Sequence, residues 1–233
     1  MNVVIVTSLN LHHRFIISEI YRNFKNISII KDIKTYFPTF NTNHKLKNLQ
    51  KKYERSIWLN KNLILPKIHE IKNINIPKNI KKIKKLRPDI IVALGSNRLT
   101  KKFIQSFKKT SIVNLHGGNP NYYRGLDSHF WSIYHNDYEN LQVCIHHINE
   151  GLDTGKIIEI QKIKLFKNMK LYQLRSKNAV VACKILSNYL KKVSEKKKIK
   201  FKANKHGRYY SSMPSSLIKI IEKKFFKFTK KIK

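Results

Sequence analysis

The sequence predicts an α/β fold, a Rossmann-like and mostly parallel sheet with helices on both faces, plus a short helical C-terminal extension. Three observations predict it. Apolar runs at residues 2–7 (NVVIVT), 90–94 (IIVAL) and 111–115 (SIVNL) have the length of strands buried on both faces. Stretches between them, such as 11–24 and 100–107, carry apolar residues at helical spacing instead. The 233 residues are 41% hydrophobic and 11% aromatic, enough for one substantial core and too apolar for a disordered chain.

Residues 2–7 read as the first parallel strand, 11–24 as a helix and 27–30 as a second strand. Residues 36–74, opening at Tyr36, are irregular, with Pro38, Pro66 and frequent Asn and Lys, and predict partly helical surface structure. Pro77 opens a helix of alternating Lys and Ile that reaches residue 86. Strand 90–94, helix 100–107 and strand 111–115 follow in a cleaner pattern. Asp127 is placed to cap a helix over 127–136. Residues 141–148 and 156–165 read as strands on either side of a turn carrying Asp153, and 171–193 as a long amphipathic helix. Pro214 opens the last helix, whose expected apolar face carries Leu217, Ile220, Ile221 and Phe225. Being basic and bearing Phe225, Phe226 and Phe228, that helix would suit a membrane surface. Packing onto its own domain is the commoner use of such a face and is the expectation. The expected division is a main domain at 1–194 and a basic extension at 195–233.

The net charge of +36 raises nucleic acid as a partner. The excess is nearly all Lys, spread along the chain among Ile and Asn, while Arg, the residue of bidentate phosphate and base contacts, is scarce. A solvated lysine surface accounts for the pattern, so no specific nucleic acid is expected, although such a surface steers small anions toward a cleft. No apolar run is long enough for a transmembrane segment. The start MNVVIVTSLN lacks the basic region and cleavage site of a signal peptide, which implies a cytoplasmic chain. Cys144 and Cys183 form no C-x-x-C, so neither disulfide nor metal is implied. His12, His13, His129, His135, His146 and His147 form no zinc pattern, and no metal is expected. Without G-x-G-x-x-G, a dinucleotide cofactor is unsupported.

Two motifs carry chemistry. SIVNLHGG (111–118) places Asn114 and His116 two apart, on one face of a strand end, with Gly117 and Gly118 turning the chain. NEGLDTGKII (149–158) places the carboxylate of Asp153 in a turn before another apolar run. Active sites in such sheets lie beyond the carboxyl ends of strands, where loops 95–98 and 116–124 fall. An amide, an imidazole and a carboxylate suit acyl transfer: Asn114 donates to an oxyanion, His116 shuttles a proton or binds the oxyanion, and Asp153 orients the charged imidazole. Asp153-Thr154-Gly155 also matches the D-T-G of aspartic proteases, but those are all-β and need two such carboxylates.

At these residues the sequence resembles the folate-dependent formyltransferases, a family that includes methionyl-tRNA formyltransferase, glycinamide ribonucleotide formyltransferase and the sugar N-formyltransferases. Asn114 and His116 match the family's Asn-x-His, and Asp153 the Asp of its later L-D-x-G loop, within a similarity running from residue 86 to about 164. The stretch NLHGGNPNYYRGLDSHFWSIYHND (114–137) reads most like the enzymes that formylate nucleotide-linked amino sugars. The resemblance implies 10-formyltetrahydrofolate as co-substrate. It implies a folate pocket between loops 95–99 and 147–153, with Ser96, Asn97, Arg98, Leu99, His146 and Asn149 as its positions. Tyr122, Tyr123 and Arg124 are implied on the acceptor side, where Arg124 either meets a pyrophosphate or caps a loop carbonyl.

The implied reaction is formylation of the amine of a nucleotide-linked amino sugar, a dTDP-4-amino-4,6-dideoxyhexose, for surface polysaccharide synthesis. A homodimer is left open, because the related sugar enzymes are commonly dimers. Residues 7–10 lack the glycine-rich phosphate turn of the purine-pathway enzyme, which counts against glycinamide ribonucleotide. One alternative is methionyl-tRNA formylation, which the charge favours but for whose C-terminal barrel the residues after 193 leave no room. Another is a non-catalytic basic binding protein on the same fold.

Overall fold

The computed structural model describes residues 1–33, 38–42 and 44–233, so Tyr36, where the irregular stretch begins, lies outside the described residues. Strand β1 (Val3–Thr7) is VVIVT, buried at every position, as a strand covered on both faces must be. It pairs in parallel with β2 (Ile27–Asp32) on one side and β4 (Ile90–Leu94) on the other. β3 (Ile68–Ile71) extends the β2 edge and β5 (Ser111–His116) the β4 edge, both in parallel. Antiparallel β7 (Gln142–His147) and β8 (Ile157–Lys162) complete a seven-stranded sheet of order β3-β2-β1-β4-β5-β7-β8. For β7 and β8 the antiparallel pairing has a simple cause: a connection as short as the Asp153 turn joins only antiparallel neighbours.

Successive strand side chains point to opposite faces, so the sheet feeds two apolar layers. Val3, Ile5, Val92, Leu94, Val113 and Leu115 face one layer, with Ile16 and Ile20 of α1 (Leu11–Asn23) and Ile185 and Leu186 of α6 (Leu174–Ser194). Val4, Val6, Ile91 and Ile112 face the other, with Ile80 and Ile83 of α3 (Pro77–Lys85) and Phe103 of α4 (Lys101–Ser106). Each such side chain contributes about 1.5–3 kcal/mol on burial. Asn114 and His116 follow Ile112 on this second face, so the apolar layer gives way there to polar side chains.

Within the irregular stretch the described residues supply the expected helix, α2 (His44–Trp58), and also the strand β3. The buried stripe of α2 is Leu46, Gln50, Glu54 and Trp58, and its two polar members hide the helical period. Glu54 tolerates burial because Arg175 of α6 donates to it twice, Nε at 2.6 Å and Nη2 at 3.0 Å. Residues 171–193 open with a 3-10 turn (Leu171–Gln173) before α6 begins. Helix α5 (Ser128–Tyr134) ends before left-handed Asn136 (φ 59). Asp127 precedes α5, but its side chain makes no cap bond there; its carboxylate accepts from the N–H of Met213 at 2.9 Å.

After Pro214, α7 (Ser215–Lys230) packs on α5 and buries Ile218, Ile221 and Phe225, while Ile220 is 43% exposed. The buried stripe thus differs from the one predicted. Both have helical spacing, and the contact with α5 selects between them. Two three-residue strands, β6 (Tyr123–Gly125) and β9 (Arg208–Tyr210), pair in parallel beside the main sheet. Among the described residues no helix is long and apolar enough to cross a membrane.

Candidate active site

In the antiparallel β5–β7 ladder Asn114 lies opposite His146, which brings the Asn114 amide nitrogen within 3.2 Å of His146 Nε2. Between β7 and β8 the chain turns through Asp153, whose backbone is left-handed at φ 51. Gly155 permits the turn, because a Cβ there would strike the carbonyl of His147. The turn returns the carboxylate to β5. Its Oδ1 accepts from Asn114 Nδ2 at 3.2 Å and its Oδ2 from the N–H of Gly125 at 2.8 Å. Oδ2 stands 3.7 Å from His116 Nδ1, and Oδ1 stands 3.4 Å from His146 Nε2. His116, His146 and Asp153 are all buried.

Backbone carbonyls only accept, which identifies the ring nitrogens that carry protons. His116 Nε2 donates to the carbonyl of Tyr123 at 3.1 Å, with Ser128 Oγ 3.2 Å away as a second acceptor. Nδ1 of His116, facing Asp153, is therefore the nitrogen that gains or loses a proton. His146 Nδ1 donates to the carbonyl of His147 at 2.7 Å, leaving Nε2 to accept from Asn114 in the neutral ring. Burial alone would raise the pKa of Asp153, but the adjacent His116 and His146 and the Gly125 N–H hold it below the usual carboxylate range. An ionised carboxylate beside an imidazole equips the site for proton transfer. Both amide hydrogens of Asn114 are engaged, so an oxyanion at this strand end competes with Asp153 or His146 for one of them.

The structure brings Asn114, His116 and Asp153 together with His146, which thus stands inside this cluster. The loop after β4 reaches the Asp153 turn through Arg98, whose Nη2 donates to the carbonyl of Glu150 at 3.2 Å. Asn97 donates through Nδ2 to Asp32 Oδ2 at 2.7 Å and to the carbonyl of Ile33 at 2.9 Å. Ser96 bonds the carbonyl of Asn97, and Leu99 is buried in the apolar layer with α3 and α4, so its side chain is a packing group. Asn149 Oδ1 accepts from Thr154 Oγ1 at 2.6 Å and braces the turn. On the expected acceptor side, Tyr122 is half-exposed.

Tyr123 points inward, because it alternates with Tyr122 along the backbone. Its hydroxyl donates to Asp137 at 3.0 Å, and burial and Asp137 together raise its pKa. Its contribution to the cluster is its carbonyl rather than its ring. Arg124 spans two loop carbonyls, with Nε donating to that of Gly207 and Nη1 to that of Leu152 at 3.2 Å.

Four contributors escaped the sequence reading. Gly125 supplies an N–H to Asp153, Ser128 meets His116, Asp32 holds Asn97, and Asn204 Nδ2 donates to the carbonyls of Asp153 and Gly155. Asp32, at the carboxyl end of β2, had a positional signal. The other three act through backbone groups or one hydroxyl, which no spacing announces.

The sequence pattern of the family described as formyl transferase matches residues 34–190. The methionyl-tRNA formyltransferase of Finegoldia magna is 31% identical over 165 residues, which cover 69% of this chain and 51% of that protein. The chain spans about half the length, or less, of the curated relatives it matches. Among solved structures, a 4-N formyltransferase from Francisella tularensis superposes with a TM-score of 0.60 at 18% identity, over 90% of this chain and 76% of that one. The formyltransferase PseJ from Anoxybacillus kamchatkensis, in complex with UDP-4,6-dideoxy-4-formamido-L-AltNAc and tetrahydrofolate, gives 0.55 at 16% identity, over 91% and 86%. At those identities the two structures speak for the fold, whereas the family pattern spans most of the sequence. The chain belongs to the formyl transferase family.

Proposed function

We propose that this chain is a folate-dependent N-formyltransferase that moves a formyl group from 10-formyltetrahydrofolate to the amine of a nucleotide-linked amino sugar. A dTDP-4-amino-4,6-dideoxyhexose is the first acceptor to try, with a product destined for surface polysaccharide. One observation carries the reading: in a member of this family, a buried Asp153 stands 3.7 Å from His116 Nδ1 and accepts from Asn114 at the end of β5.

In the proposed reaction the amine nitrogen attacks the formyl carbon, and the bond from that carbon to folate N10 breaks. One proton leaves the amine and one arrives at N10, so protons balance. His116 Nδ1 takes the first proton and supplies the second, while ionised Asp153 stabilises the intervening imidazolium. Asn114 turns an amide hydrogen to the tetrahedral oxyanion. Loops 95–99 and 147–153, tied by Arg98 and Glu150, are the proposed walls of the folate pocket. The exposed Tyr122 ring is assigned to the acceptor side.

The test is the mass of the product after incubation with 10-formyltetrahydrofolate and a panel of nucleotide-linked amino sugars, run beside His116→Ala. One formyl group gained on one sugar, and lost in the variant, supports the reaction and its histidine together. A second reading, formylation of methionyl-tRNA, is favoured by the Finegoldia magna relative and by the +36 charge. Formyl transfer to methionyl-tRNA but to no sugar would replace the first reading with the second.

A further inference from the structure

We infer that Asn204 is a positioning residue for the Asp153 turn, and that residues 202–210 form a strap that holds the carboxylate against β5. The inference rests on the formyl-transfer reading for its catalytic meaning and on geometry for its existence. Asn204 Nδ2 donates to the carbonyl of Asp153 at 2.9 Å and to that of Gly155 at 3.1 Å. Both hydrogens of one amide are thus spent on carbonyls two positions apart in the same turn. Asn204 Oδ1 accepts from the N–H of His206 at 2.9 Å, which sets the amide's orientation. His206 Nε2 donates to the carbonyl of Thr154 at 3.2 Å, so three consecutive carbonyls of the turn are held from the strap.

The strap is itself anchored on both sides. Lys202 and Ile157 exchange backbone bonds of 2.8 and 2.9 Å at β8, and β9 pairs with β6. Between these anchors, Lys205 N–H donates to Asn121 Oδ1 at 2.8 Å and Gly207 N–H to the carbonyl of Pro120 at 3.0 Å. Arg124 links the carbonyls of Gly207 and Leu152 and closes the circuit back to the turn.

Asp153 needs such a hold. Its φ of 51 is a strained conformation for a residue with a side chain, one that persists where the surroundings over-determine it. At 3.7 Å the His116–Asp153 pair is longer than a hydrogen bond, so the carboxylate is placed by its backbone more than by the imidazole.

The experiment compares the full chain with Asn204→Ala, Asn204→Asp and Trp131→Phe. Asn204→Ala should lower kcat for formyl transfer roughly 10- to 100-fold, the scale of misplacing a reacting group by about 1 Å. Amide hydrogen exchange in peptides spanning residues 149–157 should rise about tenfold or more. Asn204→Asp keeps the acceptor for His206 but turns a carboxylate toward two carbonyls, and should do no better than the alanine variant. Trp131→Phe removes the 2.8 Å bond from Nε1 to the carbonyl of Ser211, further along the same segment, and should leave kcat and exchange near the parent's.

Parent-like exchange in both Asn204 variants overturns the inference whichever acceptor the enzyme uses. An equal loss of kcat in Trp131→Phe overturns it too, because the effect would then belong to loosening of the whole segment. If the parent transfers no formyl group to any acceptor, the proposed reaction fails separately, and the exchange data still decide the positioning.

Discussion

The carboxylate of Asp153 receives the backbone N–H of Gly125 at 2.8 Å, across a sequence separation of 28. Gly125, at φ 94, is also the residue that pairs with Tyr210, whose carbonyl approaches so closely that a Cβ would not fit. The turn after β7 therefore meets the segment after β5 at one carboxylate oxygen, and the C-terminal segment packs behind Gly125. Each partner there favours the ionised form, which is the form that stabilises an imidazolium.

Asp153→Asn should retain the fold, since an amide oxygen can still accept from Gly125, but it removes the negative charge beside His116. The expected loss in kcat is about 10²- to 10⁴-fold, the range for disabling general acid–base assistance. Steady-state formylation rates, with circular dichroism as a control for folding, provide the check. Parent-like turnover would remove the carboxylate from the mechanism.

Asp32 lies beneath the proposed folate loop. It is buried and accepts from the N–H of Ile74 at 3.3 Å, the N–H of Asn97 at 3.3 Å and the Asn97 side chain at 2.7 Å. Asp32→Ala releases the loop without touching β5. Tetrahydrofolate binding should weaken about tenfold, or about 1.4 kcal/mol, with kcat at saturating folate near the parent's. Titration calorimetry would show this, and an unchanged Kd would detach the loop from the folate.

Stability depends on a second cluster remote from the chemistry. Arg175→Ala strands Glu54, whose side chain is 1% exposed, with His12 Nδ1 at 3.6 Å. Removing one partner of such a pair costs about 3 kcal/mol, because the remaining carboxylate stays buried. For a chain of this size that is a fall in Tm of roughly 6–12 °C, readable by scanning calorimetry. A shift of only a degree or two would mean that water reaches Glu54.

Acid should destabilise the fold before the carboxylates titrate. Burial lowers the pKa of His129 from 6.5 to about 4, against the opposing effect of its bond to the carbonyl of Gln142. The unfolded chain takes up a proton as pH falls through about 6.5 while the native ring stays neutral, so stability present above that pH is lost between about 6.5 and 4. The loss from this residue is about 3 kcal/mol. Burial lowers His12 and His13 as well, and they add to the slope. Denaturant melts at several pH values should show that slope, and it should flatten in His129→Gln.

The sequence by itself determined the alternating α/β pattern, the apolar strands β1, β4 and β5, and the pairing of Asn114 with His116 on one face. These depend on local periodicity, and a period of two or 3.6 residues is written along the chain. It also showed that Asp153 sits in a turn between two strands, which a short connection makes antiparallel neighbours. Three-dimensional structure decided the rest. His146 joined the cluster because the β5–β7 register sets it opposite Asn114, and register is a relation between strands. Tyr123 turned its ring inward and lent its carbonyl, while Asn204 reached Asp153 across a sequence separation of 51. Backbone carbonyls and N–H groups are the same at every position, so which of them a side chain will meet is settled only when distant segments pack.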